Sequence, residues 1–592
     1  MRGQKGNRWL SAAIGIYISA VSSPAYVSYV NETGQPQKWN LTNPSSFVHA
    51  NVVNRDTRAV RYYLAADAFS QANKTAELNA ARACFDEWQA IPGTILRFEE
   101  AGQMSGSLDV NTADNTNLVY WTKTTTIVNG GLDNIRGATG VTFFDVFSDG
   151  TRAEADIVLN GKDYLWMTDF NNAASQAQFI ESVLLHEIGH FIGLAHSPAI
   201  ASTMFPRGAG GVDVQAGLSA DEIAAAHGLY PAAGLPGTLG GLIGAITKNG
   251  SAVAGAIVSA EDNQGNLVAA TVTRVNGRYD LPALPPGQYQ VRAMPLDPLN
   301  VNWTLFRAPD VAVDFPAADV NFLPTGNKAA SVNAGASTTV DFAVSAGTPA
   351  FRIGRLGAPR PEPFPIEVLN YPVAVPFGST DVTVGVYTIE TLSTSARLRV
   401  SGLGLTFGET SFRSDVIPGL NPPLNLIAVP IHIASDAVPG MRTLMVEDGE
   451  SVAYANGALE LSPPFPDYNF DGLDDHFQHQ YFARWTAPEA GPDQDPDHDG
   501  FNNAAEYIAG SNPGDPQSVL KVESVRLDAS GATIAWPSAP GRRYQVLSRP
   551  RLDALRGWQP VGSPVLATGD KTEFLDKSAT TIYQFYRVQA VP

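Results

Sequence analysis

A chain of 592 residues with a single cysteine, Cys84, can form no intramolecular disulfide, so its stability has to come from packed cores. Charge is scarce as well: 16% of the residues are charged against 44% hydrophobic, a balance that argues against wholesale disorder. Lysine and arginine are the rarer sign, 39 against 58 acidic residues, and the net charge of −19 argues against a nucleic-acid partner. It suits a soluble exported protein with carboxylates to spare for calcium. Long apolar runs are missing beyond the N-terminus, so no membrane span is expected in the processed chain. Glycine (54) and proline (42) are plentiful, which implies frequent turns and β-rich modules. The length exceeds what one core can serve, and several domains are expected.

The one apolar run, Leu10 to Val21, follows the basic Arg2, Lys5 and Arg8 and precedes a small-x-small site at Ser23-Pro24-Ala25. These three parts in this order predict a signal peptide over 1–25 and secretion; the run is too short to span a membrane comfortably. Cys84 falls in a helical pattern with Leu78, Ala81, Phe85 and Trp88, which assigns it to core packing.

The chemistry concentrates in Glu181 to Pro206, ESVLLHEIGHFIGLAHSPAIASTMFP. His186 and His190, four apart on a helix, share one face and can bind one metal ion together. Glu187 is not needed as a ligand, and its carboxylate can take a proton from a water activated by the metal. Gly193 lets the chain leave the helix sharply, and His196 then returns as a third ligand. Three neutral imidazoles leave a fourth position for water, the mark of a catalytic rather than a structural zinc site.

His186, Glu187, His190, Gly193, His196 and Met204 reproduce the HExxHxxGxxH pattern and methionine turn of the metzincin metallopeptidases, and Ser197 directly after the third histidine resembles the matrixin branch. The resemblance implies an α+β metzincin-type catalytic domain over 26–231, one catalytic Zn2+, Glu187 as general base, Met204 packed beneath the metal, and Phe205 and Pro206 in the wall of a substrate pocket. Within that span, Val60–Leu64, Thr94–Glu99, Leu118–Trp121, Val141–Phe144 and Ala155–Leu159 read as strands and Glu77–Ala90 as a helix. The active-site helix is expected to begin near Ala174. Ser219 and Glu222 form a capping box for a last helix that ends at Gly228 and Pro231. Animal matrixins hold a second, structural zinc with histidines ahead of the active-site helix; no histidine lies between His49 and His186, so that site is expected to be absent. Asp145, Asp149 and Asp156 could serve calcium, but Asp149-Gly150 reads better as a hairpin turn.

The rest of the chain reads as β-sandwich modules and a short calcium-loop segment. Residues 236–346 resemble the carboxypeptidase regulatory-like sandwich through GAIVSAEDNQG and RVNGRYDLPALPPGQYQVRA. Residues 347–462 are expected to be an immunoglobulin-like β domain, and 517–592 a small C-terminal sandwich. Between these, 463–516 carry two acidic loops that resemble EF-hand-like and thrombospondin type 3 repeats. Asp467, Asn469, Asp471 and Asp475 form the first, with Gln478 at its last position; Asp495, Asp497, Asp499, Asn503 and Glu506 form the second. Ca2+ is the expected ligand, bound more weakly in the first loop.

The expected function is a secreted zinc endopeptidase acting on a protein or peptide substrate, with a cell-surface or polysaccharide ligand open to the C-terminal modules. A non-catalytic adhesin carrying a relic peptidase domain is the alternative. Retention of Glu187, which a relic does not need, speaks against it.

Overall fold

The computed structural model describes residues 28–591 except 32–33, 172–176, 209–210, 212–214, 299–303, 307–317, 360–365, 377–378, 381, 416–423, 464, 552–556 and 580–583. The expected signal segment 1–25 lies outside the described residues. The chain divides after Pro464 into two compact units.

The first unit opens with a sheet built from Ala59–Ala65 (β1), Phe98–Met104 (β2), Leu118–Thr122 (β3), Gly140–Val146 (β4) and Arg152–Asn160 (β5), with helix Lys74–Ala90 (α1) between β1 and β2. The order across the sheet is β2-β1-β3-β5-β4, and the short strand Val53–Asn54 also pairs with β1. The β2-β1, β1-β3 and β3-β5 pairs run parallel, whereas β4 lies antiparallel to β5 at the edge and Val53–Asn54 lies antiparallel to β1. Every residue of β5 is buried, as a strand with covered faces requires.

Helix Ile180–Ile192 (α2) buries Ile180, Leu184, Ile188 and Phe191 against this sheet and α1. Trp88 of α1 donates through Nε1 to the Leu185 carbonyl at 3.1 Å, and fully buried Cys84 packs beside it. An aromatic of this size out of water contributes roughly 2–3 kcal/mol. Helix Ala220–Leu229 (α3) begins at the expected capping box of Ser219 and Glu222.

Two expectations shift. The strand expected over Thr94–Glu99 forms instead at Phe98–Met104, because Thr94 bridges to Pro231 and Ile95 N–H donates to the Tyr230 carbonyl, which draws that stretch out of the sheet. The helix begins at Ile180, directly after Gln178–Phe179, which pairs with Trp166–Met167; Ala174, its expected start, lies outside the described residues. At Asp149-Gly150 the turn reading stands: Thr151 N–H donates to Asp149 Oδ1, and Asp156 accepts from the Asn111 and Leu118 N–H groups.

Two β layers follow. One comprises Gly240–Lys248 with Arg278–Leu284, and the other Leu267–Val272, Ala256–Asp262, Gly287–Pro295 and Lys328–Val332. The next pair of sheets is centred on Val382–Thr388 with Leu424–Ile433, and on Gly440–Asp448 with Ser451–Ser462. These strands pack on the chain that follows α2: Ala195, Ile200 and Phe205 share one apolar cluster with Ile257, Leu305 and Val386. The second unit contains helices Asp475–Tyr481 and Asn503–Ala509 and two small sheets around Trp536 and Tyr544. Among the described residues, no helix is long and apolar enough to cross a membrane.

Candidate metal centre and active site

Helix α2 carries His186 and His190 one turn apart on the same face. It stops at Gly193, whose φ of +116° would strain a side-chain-bearing residue, and the Gly193 N–H caps the Gly189 and His190 carbonyls. The reversed chain brings His196 back, so that one ring nitrogen from each of His186, His190 and His196 lies within 4.8 Å of the others. The rings are set edge to face or tilted, with centroids 4.7 to 5.3 Å apart.

Two of these rings are oriented by carbonyls. His186 Nδ1 lies 2.7 Å from the Thr203 oxygen, and His190 Nδ1 lies 2.9 Å from that of Leu194. A carbonyl only accepts, so each Nδ1 must carry the proton and each Nε2 keeps its lone pair for a metal. Burial lowers the pKa of both histidines, and in His190 the other two imidazoles add to the effect, which favours the neutral, ligating form. The donor set fits zinc: three imidazoles, with a carboxylate beside them rather than among them.

That carboxylate belongs to Glu187, 4% exposed and gripped by the edge strand β4. Thr142 Oγ1 donates to Glu187 Oε2 at 2.6 Å, and a Cβ on Gly140 would come within 2.7 Å of Oε1. Burial pushes the Glu187 carboxyl up to about 7, and the Thr142 hydrogen bond pulls against that rise. A carboxyl so poised can both take and return a proton near neutral pH.

Met204 lies under α2, where a Cβ on Gly189 would overlap its sulfur. Its turn is held by α3. Glu222 Oε1 accepts the Met204 N–H at 2.9 Å and the Ser202 hydroxyl, while Oε2 accepts the Ser219 N–H of the capping box. Ser197 Oγ donates to Asp221 Oδ2 at 2.6 Å. Phe205 is 1% exposed and stands 6.4 Å from Phe306, and Pro206 is half-buried. Thr142, Thr203 and Asp221 are the site's unforeseen residues. None sits at a fixed offset from the histidines, and only the capping-box phrase hinted at the region of Asp221.

In the second unit the two acidic loops share a backbone course. Phe470 and His498 both have φ near +60°, and glycines 472 and 500 have φ of +84° and +96°. Asp495, Asp497 and Asp499 each bring an oxygen within 4.8 Å of the others. One buried oxygen on each of these three, on Asn503 and on Glu506 has no hydrogen-bond partner. The first loop is more self-satisfied. Asp471 Oδ2 accepts from Gln478 Nε2 at 2.8 Å and from Asn469 Nδ2 at 3.0 Å, Asp467 accepts the Asp471 and Gly472 N–H groups, and Asp475 accepts that of Tyr468.

The mixed sheet and the helix with its paired histidines fall within a stretch whose family match supports a metallopeptidase. Residues 54–231 are a matrixin domain, matched by that family's model, and residues 241–297 are a carboxypeptidase regulatory-like domain. The matrixin match supports a metallopeptidase and implies a catalytic zinc. No curated protein matches the sequence. Among solved structures, the minor pilin GBS52 of Streptococcus agalactiae is similar at 11% identity over 18% of this chain, with a TM-score of 0.13; the chain spans 45% of that protein's length. The major pilin subunit BcpA of Bacillus cereus is 12% identical over 38% of this chain and 69% of its own, with a TM-score of 0.14. The RrgB pilus protein of Streptococcus pneumoniae is 9% identical over 61% and 63%, with a TM-score of 0.14. Likenesses this slight bear on neither fold nor function.

Proposed function

We propose that this chain is a secreted zinc-dependent endopeptidase. The observation that carries the reading is the convergence of His186, His190 and His196 beside the buried Glu187. Zinc held by the three imidazoles would polarise the scissile carbonyl and lower the pKa of water. Glu187 takes the proton of the attacking water and delivers it to the leaving amine, with its carboxylate aimed by Thr142. Met204 packs under the ligands and is not itself one. The matrixin resemblance makes Phe205 and Pro206 our candidates for the wall of the substrate pocket. Casein zymography of the secreted protein should show a clear band that a zinc chelator removes and added zinc restores; a band indifferent to chelation overturns the zinc reading.

The second acidic loop is our candidate for Ca2+, through Asp495, Asp497, Asp499, Asn503 and Glu506; the first, through Asp467, Asn469, Asp471 and Asp475, is the weaker candidate because amide groups already satisfy Asp471. Burial, with the neighbouring Asp497, Asp499 and Asp495 charges, pushes Glu506 up to about 7. A carboxyl with a raised folded pKa binds more protons folded than unfolded, so its contribution to stability falls as pH rises from the ordinary glutamate value to about 7. Without calcium, the unit from Phe465 should therefore melt lower at pH 8 than at pH 5.5. Calcium at a hundred times its Kd should add about 2.7 kcal/mol at pH 8, and Glu506→Gln should abolish most of that gain. Calorimetry of the full chain reads both; a calcium-independent melt sinks the assignment.

A further inference from the structure

The segment between the third histidine and the methionine turn is closed by residues far outside the matrixin domain. Ala199 and Ile200 are wholly buried. The Ile200 and Ala201 N–H groups donate to the carbonyls of Asn456 and Gly457, each at 2.9 Å, in the strand Ser451–Ser462. A strand interior has its carbonyls occupied by its own ladder, and these two are available because the ladder is interrupted. Against Gly440–Asp448 the pairing jumps from Leu444↔Ala455 to Arg442↔Leu459, leaving Asn456, Gly457 and Ala458 as a bulge. Gly457 has φ of +62°, the left-handed conformation that such a bulge recruits glycine to adopt.

The bulge is braced from behind. Gly457 N–H donates to Thr443 Oγ1 at 3.3 Å, and buried Arg292 donates to the same oxygen at 2.8 Å while pairing with Glu261. Ala199 and Ala201 pack with Leu267, Ala270 and Met441, and the Ala270 N–H donates to Asp221 Oδ1 at 2.8 Å. From Ala201 the chain turns through Ser202, whose N–H donates to the Ala199 carbonyl, and reaches Thr203, whose carbonyl orients the His186 ring.

We propose that the Asn456–Ala458 bulge is a positioning device for His186, acting through Ile200, Ala201 and Thr203, so that the downstream β modules are a working part of the metal centre. This rests on the zinc peptidase reading in taking His186 as a ligand. Thr203 can hold the ring only if its own segment is held, and that segment is anchored on its outer side by the bulge. Loss of an outer partner of a ligating histidine typically weakens metal binding about 10- to 100-fold.

The test is zinc affinity of the full-length protein, measured without substrate by competition with a chromophoric chelator. Gly457→Ala forces a side chain into a left-handed conformation, with its Cβ 2.9 Å from Leu267 Cδ2. It should weaken zinc binding at least about tenfold; activity should fall at limiting zinc and recover with excess zinc at an unchanged KM. Thr443→Val, which removes the hydroxyl under Gly457 N–H, should shift affinity in the same direction. Glu187→Gln, as a control, should bind zinc like the wild type. A folded Gly457→Ala protein with wild-type zinc affinity overturns the proposal. A wild-type protein that takes up no zinc overturns the peptidase reading as well. Should Gly457→Ala not fold, amide exchange of the wild type decides: Ile200 and Ala201 should be protected to the level of the Ser451–Ser462 strand, and free exchange there overturns the bulge as an anchor.

Discussion

Glu187→Gln is expected to lower kcat/KM on a peptide substrate about a thousandfold, with zinc content and thermal midpoint essentially unchanged. The amide has the shape of the carboxylate and can still accept the Thr142 hydroxyl, which lies 2.6 Å from Oε2. It cannot take up a proton, so the water is left without a base and the leaving amine without an acid. Because the native carboxylate is 4% exposed, a neutral side chain there relieves a desolvation cost and should not loosen the fold. Metal analysis, a melting curve and a fluorogenic peptide assay on one preparation separate these statements. Wild-type turnover by the pure variant would remove Glu187 from the mechanism.

Gly193→Ala should fail differently, losing activity and stability together. At φ of +116° an L side chain is strained, by about 1–2 kcal/mol. A Cβ would also stand 2.5 Å from the Gln37 carbonyl oxygen, which is backbone and cannot swing aside. Forced repacking of that kind costs a further 1–3 kcal/mol or so, so the sum is about 2–5 kcal/mol against a typical domain stability of about 5–15. The turn that delivers His196 is the part that gives way, so zinc content should fall as well. Gly250→Ala is the internal control. Gly250 has φ of +82° with nothing within 4 Å of the added Cβ, and should cost only the conformational part. Urea unfolding of both variants tests the comparison; equal losses would mean that the approach of Gln37 does not matter.

Sequence reasoning reached furthest where the physics is local. The offsets among His186, His190, Gly193 and His196 are set by one helix and its exit, so the meeting of the three histidines was legible before any fold was known. The capping box at Ser219 and Glu222 and the oxygen pattern of the second acidic loop depend on neighbours within a dozen residues, and both were readable for that reason. It failed where distant backbone competes for the same groups. Thr94–Ile95 has the composition of a sheet strand, yet the chain at Tyr230–Pro231 takes its hydrogen bonds.

By itself, then, the amino-acid order determined that His186, His190 and His196 would meet with Glu187 beside them and that β-rich stretches follow, because each follows from short-range periodicity and spacing. Only the tertiary structure decided what holds them. The hydroxyl on Glu187 comes from an edge strand, Asp221 ties Ser197 and Glu222 ties the turn at Met204 to another helix, and Ile200 and Ala201 donate to a bulge at Asn456–Gly457. Such partners are chosen by which surfaces meet when sheets and helices pack, and no local pattern encodes that meeting.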